Sequence, residues 1–178
     1  DAFGDLRLAK WGESEHWIKG GLILLPFSFE NRASAASLLG MDYNSEAIKL
    51  VNTFVWRDYG FELHGNFRQW FSYAMGVYDG YDLKDSDKNP EAPMRFTGHA
   101  AFNILGQAER DWFFTQERLG KSGNYVSIGA GFDYQDEATL LITPATNGLP
   151  ASQVAQDSNN WVIDLQSGIT LNPFLITL

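Results

Sequence analysis

The chain contains no cysteine, which excludes a disulfide framework and any thiolate metal site. Only 6 of its 178 residues are proline. Basic residues are scarce: 13 Lys and Arg face 22 Asp and Glu, a formal charge of -9. That balance argues against a nucleic-acid partner. Only three histidines occur, with no i, i+4 pair, so no metal site is expected. Long apolar runs are also missing. The longest, residues 21–27, falls far short of the roughly 18–20 residues of a membrane helix. The chain opens at Asp1 without an apolar leader, and Leu178 replaces the aromatic end expected of a complete barrel. Both read as a processed product or a piece of something longer.

What the chain has is aromatic residues and glycine. The 13 Phe, 7 Tyr, 6 Trp and 17 Gly suit strands better than helices. Two-residue alternation is the main signal. In 95–103, Phe96, Gly98, Ala100 and Phe102 share one face, and Arg95, Thr97, His99, Ala101 and Asn103 the other. In 125–135, Val126, Ile128, Ala130, Phe132 and Tyr134 oppose Ser127, Gly129, Gly131, Asp133 and Gln135. The pattern recurs in 60–67 (Phe61, Leu63, Phe67 against Glu62, His64, Asn66) and 70–78 (Phe71, Tyr73, Met75, Val77 against Ser72, Ala74, Gly76). It returns in 161–166, while Leu6 and Leu8 alternate with Arg7 and Ala9, and 17–27 reads as a longer, more apolar strand.

Several of these segments approach the roughly 9–11 residues with which a tilted strand crosses a bilayer, against about 5–6 for a globular strand. Mean hydropathy, -0.23, does not oppose this, because lipid-facing and lumen-facing residues average out in a transmembrane barrel. The fold expected is all-β: an antiparallel transmembrane β-barrel of outer-membrane type. Residues 1–178 form one domain, with seven to eight strands of a larger barrel.

The connections add to this reading. Residues 12–15 and 67–70 are tight turns, whereas 28–56, 81–93 and 136–160 are long and polar. Alternating strand directions place all three long loops at one end, the outer-membrane asymmetry. The connection 106–123 breaks the rule, being long at the short-turn end. Residues 34–41 read as a short helix inside the first long loop, 28–56, which could fold inward as a constriction loop. Pro173 interrupts the last segment. Trp17, Trp56, Trp70, Tyr78, Tyr134 and Trp161 near strand ends fit aromatic girdles at the membrane surfaces.

Other chemistry finds little support. Gly129-Ala130-Gly131 lacks the third glycine and following helix of a dinucleotide loop. Asp85, Asp87 and Asn89 have calcium-loop spacing, but Pro90 stands where that loop needs glycine and Phe96 where it needs glutamate. The acidic stretch 82–91 therefore reads as a solvated loop. No GxSxG elbow occurs, and no catalytic residue, cofactor or metal is expected.

Three pieces resemble the phosphate-selective porin family: Leu25-Pro26-Phe27 before a long loop; Arg57-Asp58-Tyr59-Gly60 with Leu63-His64-Gly65, similar to that family's "RDxGxxLxG" strand opening; and Gly76-Val77-Tyr78-Asp79-Gly80 at a strand end. The likeness continues through Leu119-Gly120-Lys121 and Ser127-Ile128-Gly129-Ala130-Gly131, covering roughly residues 17–166. The long connection at 106–123 has a counterpart in the family. The resemblance implies a trimeric porin of about sixteen to eighteen strands in the bacterial outer membrane, against outer-membrane lipid and lipopolysaccharide.

The lumen-facing candidates are Arg57, Glu62, His64, Arg95, His99, Asp133 and Asp164. They form no basic ladder, so the residues point to passive diffusion of small solutes or ions, with Arg95 favouring anions. Two other classes share the pattern. One is the same barrel as a structural component of a larger outer-membrane complex. The other is a soluble β-sandwich or lipocalin-like binding module with its faces exchanged.

Overall fold

The computed structural model describes residues 2–32, 57–80, 94–106, 124–143, 152–171 and 174–177. Alternating, aromatic and β-branched stretches become eight strands: β1 (Ala2–Trp11), β2 (Ser14–Leu24), β3 (Arg57–Phe67), β4 (Phe71–Tyr78), β5 (Arg95–Leu105), β6 (Tyr125–Thr143), β7 (Ser152–Leu171) and β8 (Phe174–Thr177). One short helix, α1 (Phe29–Arg32), follows β2. Among the described residues no helix is long and apolar enough to cross a membrane.

All eight strands lie in one antiparallel sheet in sequence order, β1 through β8. Each pairs with its neighbours in the chain, and among the described residues no pairing joins β1 to β8. The sheet is therefore open, with β1 and β8 as its edges. Its register is continuous apart from bulges between Arg7 and Ala9, Asn103 and Leu105, and Gln135 and Thr139.

The tight turns form where expected. Gly12, with φ +60°, closes the β1–β2 turn, and Arg68 accepts φ 52° between β3 and β4. Side chains hold these turns together. Asn66 Nδ2 donates to the carbonyls of Glu13 (2.8 Å) and Arg68 (2.6 Å), and Arg68 N–H donates to Ser14 Oγ at 2.9 Å. Asn103 Nδ2 donates to the Gln69 carbonyl at 2.8 Å.

Three expectations change. The polar stretch 136–160 is mostly strand: β6 runs on to Thr143 and β7 begins at Ser152, leaving 144–151 as the connection. The consecutive apolar residues Leu140, Leu141 and Ile142 hid that strand, because they break strict alternation. The apolar stretch 17–27 is not one strand. Pro26 has no N–H to give a ladder, and Phe27 N–H instead donates to the Leu25 carbonyl at 3.0 Å, a three-residue reversal. The ambiguous end resolves into the last part of β7 and the short strand β8. The expected helix at 34–41, the long loop 81–93, the acidic stretch 82–91 and the connection 107–123 lie outside the described residues, as does most of the loop 28–56.

Register sorts the side chains by face, and the sorting is the reverse of a water-soluble sheet. Twenty large apolar side chains among the described residues are exposed, including Leu6, Ile18, Phe61, Leu63, Met75, Phe96, Phe102, Ile128, Trp161 (72%), Ile163 (79%) and Leu165. At roughly half exposure of about 150–250 Å² each, this is on the order of 2,000 Å², against the few hundred a soluble monomer leaves open. Charged and hydrogen-bonding side chains on the opposite face are buried: Lys19, Glu62, His64, Arg95, Thr97, His99, Asn103, Ser127, Asp133 and Gln135. A small apolar cluster of Ile23, Leu25, Phe27 and Tyr78 packs among them.

Candidate functional site

The polar face of the sheet is the candidate site, and register builds it. Cross-strand pairing aligns Lys19 with Glu62, Trp17 with His64, Gly76 with Thr97, Thr97 with Asp133, and His99 with Gly131. The buried charges placed there therefore find partners one or two strands away.

Four clusters result. Lys19 Nζ donates to Glu62 Oε1 at 3.2 Å, and the Tyr78 hydroxyl donates to Glu62 Oε2 at 3.1 Å. His64 Nε2 lies 3.1 and 3.2 Å from the two Asp5 oxygens, with its ring stacked parallel to Trp17. Arg95 grips Asp133 with two nitrogens, Nε to Oδ1 at 2.5 Å and Nη2 to Oδ2 at 2.8 Å, and the Thr97 hydroxyl also donates to Oδ1 at 2.7 Å. Such a fork is the strong form of a carboxylate–guanidinium contact. His99 Nε2 meets Asp164 Oδ2 at 2.8 Å, and Gln166 Nε2 donates to Asp164 Oδ1 at 2.8 Å. Arg95 is 0% exposed, and Asp133 and His64 1% each. Burying such charges is tolerable only because each is matched.

The chain after β2 lies on this face. The Ser28 hydroxyl caps α1 by accepting from Asn31 N–H at 3.2 Å, and Leu25, Phe27 and Asn31 are buried. The Phe27 carbonyl rests against Gly131, so closely that a Cβ there would come within 1.8 Å of its oxygen. Glycine at 131 is thus the seat of segment 25–32.

Six of the seven residues named from sequence share the polar face: Glu62, His64, Arg95, His99, Asp133 and Asp164. Arg57, the first residue of β3, has the parity of exposed Tyr59 and Phe61 and belongs to the apolar side. Two aromatics placed in the girdles sit elsewhere. Tyr78 is buried on the polar face against Glu62, and Trp17 lies on that face beside His64. Trp70, Tyr134 and Trp161 are on the apolar face, and Trp70 packs with Phe71 and Phe102 at the short-turn end. Trp56 lies outside the described residues.

Sequence reading missed Asp5, Lys19 and Tyr78 as partners. Asp5 and Lys19 lie in strands short of clear alternation, Tyr78 was read as a girdle aromatic, and only the register shows what they face. It also missed His16. That ring is buried on the apolar side among Trp11, Phe67 and Tyr73, with Nδ1 2.9 Å from the Tyr73 hydroxyl.

Comparison with family models, curated proteins and solved structures finds no match for this chain.

Proposed function

We propose that this sheet is wall of a bacterial outer-membrane β-barrel of the porin type, a water-filled passage for small solutes or ions. The observation that carries the proposal is the inverted sorting of the two faces. Apolar side chains from β1 to β7 stand exposed on one face, as hydrocarbon requires, while matched charges occupy the other. A soluble sandwich would pack those apolar side chains against a second layer, and among the described residues none covers them.

In lipid an unpaired strand edge leaves backbone N–H and C=O groups without partners, at a cost of several kcal/mol per group. Further strands therefore complete the ring beyond β1 and β8. Outer-membrane lipid and lipopolysaccharide surround the apolar face, and the assembly is a homotrimer. Segment 25–32 narrows the passage.

The test is extraction followed by reconstitution. The protein should require detergent, shift its gel migration on heating, and produce stepwise conductance in planar bilayers. A protein that stays monomeric in buffer without detergent, and conducts nothing, would overturn the proposal.

A further inference from the structure

The polar face is not uniform, and its division indicates where solutes would travel. Across β4, β5 and β6 it is sealed: Ser72, Ala74, Arg95, Thr97, Ala101, Ser127, Asp133 and Gln135 are almost without solvent contact. Segment 25–32 lies on this side, seated at Gly131. Across β1 and the start of β2 the same face is open. Asp5 keeps 28% and Lys10 52% of its side-chain exposure, Glu15 keeps 28%, and Arg7 is exposed. Pairing strands added beyond β1 would cover its backbone edge, not the face its side chains occupy.

Resting on the porin reading, we propose that the solute path runs along the β1–β2 side of the polar face. Arg7, Lys10 and Glu15 are then its contact residues, in place of Arg95 and Asp133. Arg7 is prepared for this role. Its guanidinium sits 5.5 Å from the centre of the Trp17 ring, held there by a cation–aromatic contact. Trp17 in turn stacks on His64, which Asp5 holds. Among the described residues Arg7 has no carboxylate ion pair, whereas Lys10 is paired with Glu15. Its charge is presented to water at a fixed place on the wall. Arg95 has its charge answered by Asp133 and has no contact with water. It acts as a structural tie.

The chain has no cysteine, so single-cysteine accessibility in planar bilayers tests this directly. Arg7→Cys and Lys10→Cys are compared with Thr97→Cys, using an anionic and a cationic methanethiosulfonate reagent. Cysteine at 7 and 10 should react and lower single-channel conductance, and cysteine at 97 should stay inert. Each unit charge changed at position 7 should move the anion-to-cation permeability ratio about threefold, because Coulomb's law in water at roughly 6 Å with ordinary salt screening acts with opposite sign on the two ions. Arg7→Glu should move it about ninefold toward cations, and Arg7→Lys should leave it near the starting value.

Reaction at 97 but not at 7 would place the path on the other side and overturn the inference. Conductance with neither site reactive, or an unmoved ratio in Arg7→Glu, would overturn it while leaving the pore reading in place. No conductance in the unmodified protein would remove both.

Discussion

Replacing Gly131 with alanine should unseat segment 25–32 while leaving the sheet intact. The new Cβ would stand 1.8 Å from the Phe27 carbonyl oxygen and 3.1 Å from that of Gly98. An ordinary carbon–oxygen contact is about 3.3 Å, so something must retreat by about 1.5 Å. β6 is held by ladders to β5 and β7 on both sides, and alanine costs a strand nothing relative to glycine. The segment must therefore yield. Moving it gives up burial of Phe27, worth about 1.5–3 kcal/mol when complete. A loss of about 2 kcal/mol raises the detached population roughly thirtyfold. Hydrogen exchange read by mass spectrometry is the assay. Amides of 25–32 should lose about one and a half decades of protection, those of β5–β7 should keep theirs, and single-channel conductance should rise. Unchanged protection at 25–32, or loss spread through β6, would refute the reasoning.

Other perturbations follow from the same geometry. Asp133→Ala removes the forked contact to the buried Arg95 guanidinium and should cost about 3–5 kcal/mol, seen as a lower temperature for the heat-dependent gel shift. Joint replacement of Arg95 by Met and Asp133 by Leu should recover most of that loss. Asn103→Ala removes the bonds to the Gln69 carbonyl and from Ser127 Oγ and should cost about 1–3 kcal/mol, with faster exchange in the β3–β4 turn. On the part of β6 and β7 that runs past the last β5 pair, outside the stretch that the proposed wall would place in the bilayer, a hydrogen bond between the two carboxyl groups raises Asp136 above its ordinary value and lowers Asp157. The Asp136 contribution is present below its unfolded value and lost as pH rises through the raised one; that of Asp157 is lost as pH falls through the lowered one. Intrinsically corrected amide exchange around 136–157 should therefore be slowest near pH ~4 and faster at neutral pH. Asp136→Asn, which keeps a donor toward Asp157, should flatten the dependence on the high side.

The strands that alternate strictly were legible in the sequence. In β5, Phe96 and Phe102 against Arg95, Thr97 and His99 gave both the strand and its two faces, because the side-chain period is two. The same holds for β3 and for the first half of β6. Where alternation failed, so did the reading. Leu140–Ile142 are consecutive apolar residues, and the hairpin arm they belong to was taken for a loop. Pro26 ended β2 three residues early, and the chain beyond it turned onto the polar face.

The site was legible as composition and not as pairing. Arg95 and Asp133 could be placed on one face from sequence. Their two-pronged contact depends on the register between β5 and β6, which no local pattern states. Arg57 was expected on the polar face, whereas its parity with Tyr59 and Phe61 puts it on the apolar one. Asp5 and Lys19 went unnoticed because neither β1 nor β2 alternates cleanly, and each partner is more than forty positions away.

The most direct test of the central claim is a nitroxide scan of 160–165 in β7, one cysteine at a time, in lipid vesicles. Labels at Trp161, Ile163 and Leu165 should collide freely with oxygen dissolved in hydrocarbon and be hidden from a water-soluble nickel chelate. Labels at Asn160, Val162 and Asp164 should be shielded from oxygen. Absence of that two-residue oscillation, or its inversion, would mean the apolar side chains do not meet lipid, and the membrane-wall account would be wrong.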